Sequence, residues 1–300
     1  MTSRLSTHVA VMVHEAMRAI KPKPGGRYID ATLGGGTYSE ALLSQSSPDG
    51  RVLSLDLDPK ALERARERQH LYEHRWTLVE TNFKSIRSVA QEHGFAPCDG
   101  IVFDLGLSSD ELADASKGLS FQVDGPLDMR LGPQANEDGL TAETIVNRWS
   151  EHELIDLLRT YGEERFAARI ATAIVKRRRI QPIHSTMELA DTVAGSVPAG
   201  IRARSRIHPA TKTFQALRIA VNDELAVLKI ALRDAWEILA KDGTLAVVSF
   251  HSLEDRIVKQ TFKDFTDAVI SKKPIAPTIE EVSKNPRARS AKLRIATKNA

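Results

Sequence analysis

Between residues 27 and 103 the chain repeats one pattern: a short apolar run that ends at or near an acid, then a stretch of helical period. The runs fall at 27–30, 51–56, 76–79 and 100–103, with helical stretches at 38–45, 60–68 and 84–93. Runs apolar at nearly every position are strands buried on both faces, and strands that alternate with helices pair in parallel beneath a helical cover. The spacing predicts an α/β fold around a parallel sheet. An amphipathic helix is expected ahead of it at 8–21, closed by Pro22 and by Pro24-Gly25-Gly26.

After Asp104 the pattern changes. Residues 105–140 are rich in Gly, Ser, Asp and Pro without a period, so an extended loop is expected. Helical signals follow. Ser150-x-x-Glu153 and Ser185-x-x-Glu188 are capping boxes, and residues 163–179 carry Phe166, Ile170, Ile174 and Val175 on one face. A long helix is expected from Pro209 to about Leu239. The strand pattern then returns at 244–250, followed by a helix at 252–265 and a strand-like 292–296. The expected organisation is a sheet domain of residues 1–107 and 211–300, with an all-helical insertion of residues 108–210.

Apolar residues at 42% and charged residues at 27% are ordinary globular usage. One cysteine, Cys98, excludes a disulfide scaffold and fits a reducing compartment. No run approaches the ~18 apolar residues of a membrane span, so no membrane partner is expected, and the expected location is the cytoplasm. The net charge of +3 conceals an uneven distribution. Residues 30–128 hold nine Lys/Arg and seventeen Asp/Glu, whereas residues 168–218 hold ten Lys/Arg against Glu188 and Asp191. Residues 284–300 add six Lys/Arg and no acid. Basic blocks of this kind suit a polyanionic partner, although a solvated basic face would read the same way.

The turn in YIDATLGGGTYSEALL, residues 28–43, carries the chemistry. Asp30 ends a strand, three glycines follow, and a helix begins near Tyr38. Such a turn lets backbone approach a ligand and leaves helix N–H groups facing it. Asp56 ends the next strand, where a carboxylate can accept from ribose hydroxyls. The G-x-G-x-x-G fingerprint is absent, and Asp30 would sit badly beside a pyrophosphate. Residues alone therefore favour a cationic cofactor such as S-adenosyl-L-methionine over NAD. A dehydrogenase and a merely structural tight turn remain open at this point. Asp104 ends the fourth strand and Phe83 follows the third, the latter a candidate to stack on adenine or a core aromatic.

The stretches HVAVMVHEAM, YIDATLGGGTYS, FDLGLSS, GLSF with DGPLDMR, YGEERFAARIA, HPATKTFQALRIAVN, SFHSLEDRIVK and NPRARSAKLRIA run from residue 8 to 296. In them the chain resembles the MraW/RsmH family, the bacterial small-subunit ribosomal RNA cytidine N4-methyltransferases. The resemblance implies a class I, Rossmann-like methyltransferase sheet with an inserted helical domain. It also implies S-adenosyl-L-methionine as cofactor and a cytidine of the 16S rRNA decoding region, in the small ribosomal subunit, as substrate. Cofactor contacts then fall on Gly36, Thr37, Tyr38, Asp56, Phe83, Asp104 and Glu111. Thr37 stands where the family usually has glycine, and Glu111 where it typically has Gln. A carboxylate cannot donate as an amide does.

The cytosine amine is a poor nucleophile because its lone pair is delocalised into the ring. Acceptors must hold its N–H groups and favour a pyramidal nitrogen in line with the methyl. Asp104, with Ser108 nearby, stands at a strand end where this can be done. The (D/N/S)PP(Y/F) tetrad of many amino-methyltransferases is absent. Asp128 could close over the base or stabilise a turn, and His251 could touch the base or serve a helix start capped by Ser252-x-x-Asp255. Cys98 is placed too early in its strand to be a carbon-5 nucleophile, and no spacing reads as a metal site. Arg177, Arg178, Arg179, Arg202, Arg204, Arg206 and Lys212 are the expected phosphate contacts. A non-catalytic RNA-binding protein is the reading from another class; the acid at each strand end argues against it.

Overall fold

The computed structural model describes residues 10–133, 135–136, 138–205 and 207–299. Two compact units emerge, one of residues 1–109 and 225–300 and one of residues 110–224.

The first unit is a seven-stranded sheet of β1 (Arg27–Asp30), β2 (Arg51–Asp56), β3 (Trp76–Glu80), β4 (Cys98–Asp104), β5 (Leu239–Ser249), β6 (Ala268–Ile270) and β7 (Lys292–Lys298). Their order is β3-β2-β1-β4-β5-β7-β6. The first five strands pair in parallel, whereas β7 runs antiparallel to both β5 and β6. This is the Rossmann-like methyltransferase sheet that the resemblance implies; the antiparallel edge modifies the all-parallel sheet expected from the apolar runs. Strand period sends alternate residues to opposite faces. Ile29, Leu53, Leu55, Ile101, Phe103, Leu245 and Val247 join one apolar cluster with Leu228, Leu232, Trp236 and Phe262. Tyr28, Val52, Val102, Ala246 and Val248 join another with Met17, Leu42, Leu43, Leu62 and Trp76. Order reverses between β1 and β4, and at such a switch point ligands bind beyond the carboxyl ends of the strands.

The first helix is described as Val13–Ile20, and His8 and Val9 lie outside the described residues. Cys98 opens β4 fully buried, and burial pushes its thiol up to about 12, which leaves it no nucleophilic thiolate. Among the described residues no helix is long and apolar enough to cross a membrane.

The second unit is helical: Ala142–Arg148, Glu151–Thr160, Ala167–Ile180, Thr186–Ser196, Ala199–Arg204 and Thr211–Asn222. Both expected capping boxes are present, at Ser150/Glu153 and Ser185/Glu188. Leu154, Leu158, Ile170, Ile174, Leu189, Val193, Phe214 and Leu217 are among its buried apolar side chains. The stretch expected to be one extended loop holds a short helix, Ser109–Ala113, and a 3₁₀ turn, Ala115–Lys117.

The expected boundary at residue 210 and the expected single helix to Leu239 are both corrected at Asp223. That residue is left-handed, with φ 47°, and separates Thr211–Asn222 from Glu224–Glu237. The break is built from side chains. Asn222 accepts from the Leu131 amide and donates to the Met129 and Arg218 carbonyls, while Arg218 forks onto Glu224 at 2.7 and 2.8 Å. Helix Thr211–Asn222 therefore belongs with the insertion, whose end moves to Glu224.

Candidate active site

In the sheet unit, Gly36 is the N-cap of helix Thr37–Gln45, with φ 83° that only glycine adopts without strain. It has no side chain to cap the helix, so the first turn at Thr37 and Tyr38 favours an anionic ligand group. The Asp56 carboxylate accepts from the Gly34 amide and from the Asp58 amide, each at 2.8 Å. The turn and the acid, twenty-odd residues apart in sequence, are thus one hydrogen-bonded piece. Phe83, half-buried after β3, meets the ring of Phe103 edge-on at 5.6 Å. It packs against the core cluster that holds Phe103.

Asp30 occupies a different place from the one its sequence position suggests. It is 0% exposed, accepting from Ser39 Oγ at 2.6 Å and from the Thr32 amide at 3.2 Å. Ser39 Oγ in turn meets Ser54 Oγ at 2.7 Å, and the Trp76 indole donates to Ser54. Burial pushes the Asp30 carboxyl up to about 6, against the pull of those hydrogen bonds. Asp30 therefore braces the turn from beneath and does not line a ligand cleft; sequence position does not reveal which face of the turn an acid takes.

Asp104 stands at the carboxyl end of β4, half-buried, and its amide donates to Thr32 Oγ1 at 2.7 Å. Thr32 is a residue that sequence reasoning missed; its signal was a hydroxyl two positions after a strand-end acid. Gly106, at φ 101°, passes under the Phe250 ring, where a Cβ would lie 3.2 Å from it. Ser108 is buried at 6% exposure.

The Tyr38 side chain is buried, its hydroxyl donating to the Val11 carbonyl, and burial raises its pKa well above the usual phenol value. What Tyr38 can give a ligand is backbone, at the helix N-terminus. His251 is itself the N-cap of helix Ser252–Asp264, its Nδ1 accepting the Glu254 amide at 3.4 Å. Glu254 accepts back from the Phe250 and His251 amides. The expected Ser252/Asp255 cap is thus replaced, and Asp255 instead accepts from Lys292 at 2.9 Å and Arg294 at 2.6 Å.

Within the helical unit, Asp128 is held by Arg130, whose Nε and Nη2 donate at 2.8 and 2.7 Å. Burial opposes ionisation of Asp128, but the hydrogen bonds and charge of Arg130 outweigh it and keep the pKa low. The same loop pairs Pro126 with Ser185 and gives its Gly125 carbonyl to Thr186, which makes DGPLDMR a clasp on helix Thr186–Ser196. Glu111 faces Lys117 at 3.8 Å.

The expected phosphate contacts divide. Arg178 donates to the Val146 and Trp149 carbonyls, both at 2.6 Å, and so closes the end of helix Ala142–Arg148. Arg177 donates to the Gln181 carbonyl and faces Glu188 at 3.6 Å, and Lys212 donates to the Glu163 carbonyl. Arg179, Arg202 and Arg204 are exposed. Arg206 lies outside the described residues.

The sequence profile of the MraW methylase family matches residues 5–299. The chain is 47% identical to ribosomal RNA small subunit methyltransferase H of Thermomicrobium roseum, covering 98% of this chain and 94% of that protein. It is 44% identical to the protein of the same name from Brevibacillus brevis, covering 99% and 100%. Among solved structures it is similar to an rRNA methylase from Streptococcus thermophilus, at 10% identity and a TM-score of 0.47, covering 100% of this chain and 99% of that one.

Proposed function

Because the chain belongs to the MraW methylase family, we propose that it methylates N4 of one cytidine in the decoding region of 16S rRNA, in the small ribosomal subunit. S-adenosyl-L-methionine, when bound, supplies an electrophilic methyl on a sulfonium. The observation that carries this reading is the set of groups along the carboxyl edge of β1 to β4: the Gly34–Asp56 hydrogen bond, Phe83 and Asp104. Their chemistry suits an adenosine with a charged amino acid end. Asp56 accepts from ribose hydroxyls, Phe83 offers an aromatic edge to adenine, and the helix start at Thr37 and Tyr38 attracts a carboxylate. A dehydrogenase would need a pyrophosphate cradle, and the turn lacks that fingerprint.

Asp104 accepts from the cytosine amine and holds it for in-line attack, with Ser108 four positions further along the chain. A proton leaves the nitrogen only after it has gained the methyl, so a weak acceptor is sufficient. Glu111 is a further contact on the cofactor side. Arg179, Arg202 and Arg204 present exposed charge for phosphates, and the enzyme works in the cytoplasm, where ribosomes are assembled. The test is nucleoside mass spectrometry of small subunits lacking the mark, incubated with enzyme and cofactor. N4-methylcytidine at one decoding-region position is expected. Methyl transfer to another base or atom would overturn the reading.

A further inference from the structure

Helix Pro59–Gln69 sends one side chain back to the glycine turn. Arg68, in its last turn and half-buried, donates from Nη2 to the Gly35 carbonyl at 2.8 Å, and its Nε lies 3.1 Å from the Glu40 carboxylate. Glu40 stands in the first turn of helix Thr37–Gln45, where its amide donates to the Gly36 carbonyl at 2.9 Å. One guanidinium therefore holds both the turn and the helix that the turn opens. The fit is close. A Cβ at Gly36 would lie 2.6 Å from Arg68 Nη2 and 3.6 Å from the Trp76 ring, so the arginine fills the space that a side chain at 36 would need.

The bond falls at the loosest joint of the turn. The peptide between Gly35 and Gly36 has glycine on both sides, and without Cβ atoms little in the chain itself keeps it from turning over. Two contacts fix it: Arg68 holds the carbonyl, and the Gly36 amide donates to the Leu33 carbonyl at 2.7 Å. A carbonyl freed from Arg68 would bring a negative dipole to a helix start that otherwise favours an anion. The carboxylate of Glu40 offsets the charge of the arginine, so what Arg68 supplies is placement of the backbone more than field.

We propose that Arg68 is the positioning residue for the amino acid end of the cofactor. It sets the Gly35–Gly36 peptide so that the amides at the start of helix Thr37–Gln45 meet the cofactor's carboxylate. The inference rests on the proposed placement of that carboxylate at Thr37 and Tyr38. Discrimination among adenosine-containing ligands then depends on a side chain that acts through the backbone.

Two ligands separate this role from a general loss of order. S-adenosylhomocysteine carries the amino acid end, and 5′-methylthioadenosine keeps the adenosine and the sulfur but lacks it. Calorimetry gives the ratio of their affinities for wild type and for Arg68→Met, Arg68→Lys and Glu40→Gln. Wild type should prefer S-adenosylhomocysteine. Arg68→Met keeps most of the apolar stem and removes every donor. It should weaken S-adenosylhomocysteine by about tenfold or more, with 5′-methylthioadenosine changed by no more than about twofold. Arg68→Lys can still donate to the Gly35 carbonyl and should recover much of the ratio. Glu40→Gln leaves Arg68 in place with a weaker anchor and should lower the ratio by about threefold. It reads the same quantity if Arg68→Met does not fold. A wild-type ratio in every folded variant, even with both ligands bound more weakly, overturns the inference and leaves the carboxylate where it is proposed. Equal affinity of wild type for the two ligands overturns that placement, and the role of Arg68 with it.

Discussion

Thr32 Oγ1 accepts the Asp104 backbone N–H at 2.7 Å, so the turn after β1 holds the end of β4 where the acceptor amine is proposed to bind. The Thr32 amide is in turn held by buried Asp30. One hydroxyl thus joins the brace under the glycine turn to Asp104, the carboxylate proposed to meet the amine.

Thr32→Val keeps the shape and leaves the Asp104 N–H without that acceptor, a loss of ~1–3 kcal/mol where a donor is buried. Much of this should fall on the placement of Asp104, lowering kcat by roughly ten- to a hundredfold. Cofactor affinity should change little, and Thr32→Ser should restore activity. Steady-state kinetics with calorimetric cofactor titration checks the split. A full kcat in Thr32→Val would show that Asp104 needs no such anchor.

Asp56→Ala removes the proposed ribose acceptor together with the bonds that hold Gly34 and Asp58. Cofactor binding should weaken by roughly 1–3 kcal/mol, and the melting temperature should fall as well. Asp56→Asn retains acceptor capacity on one oxygen and should lie between. Calorimetry on the folded variants decides the matter, and unchanged affinity in both would remove Asp56 from the site.

The parallel strands, the glycine turn and the acids at 30, 56 and 104 were legible because strand period and turn chemistry act over a few residues. Whether an acid faces solvent or core is set by distant groups. Asp30 is buried because Ser39, itself bonded to Ser54, meets it from the next helix, and no local pattern announces that. The break at Asp223 was hidden for the same reason. Residues 209–239 read as one helix until Asn222 is seen bonded to Met129 and Leu131, some ninety positions away. His251 as a cap escaped notice because histidine is rarely an N-cap, and the edge strand β6 is only three residues long. Basic runs report charge but not direction, and three neighbouring arginines on one helix took three different directions.

Asp30 also gives the fold a pH signature. Its carboxyl is pushed up to about 6 from an ordinary 3.8, so the folded state binds this proton more tightly than the unfolded chain. Between those values folding takes up a proton, and stability falls as pH rises. The contribution is complete below about pH 4, declines through the folded pKa, and is lost above it; its full size is roughly 3 kcal/mol. Asp30→Asn cannot titrate there. The stability of wild type relative to Asp30→Asn should therefore decline between about pH 4 and pH 6 and be flat above, as read by denaturant unfolding at several pH values. A difference independent of pH would mean that Asp30 is ionised throughout.

Arg178 and Arg179, adjacent on helix Ala167–Ile180, should separate stability from RNA binding. Arg178 serves the Val146 and Trp149 carbonyls, so Arg178→Ala leaves the end of helix Ala142–Arg148 without its donors. Each lost charge-assisted bond costs about 1.5–3 kcal/mol, and unfolding should report a drop of this order. Arg179 is exposed, so Arg179→Ala should leave stability within ~0.5 kcal/mol. If it meets a phosphate, its removal should make the salt slope of RNA affinity shallower by about 0.7–0.9. Arg177, bonded to Gln181 and facing Glu188, should contribute less to that slope than Arg179. A triple replacement of Arg177, Arg178 and Arg179 is accordingly expected to remove about one unit of slope, where three solvent-facing arginines would remove more than two. A loss above two units, with Arg178→Ala stable, would show that Arg178 leaves its carbonyls to bind RNA.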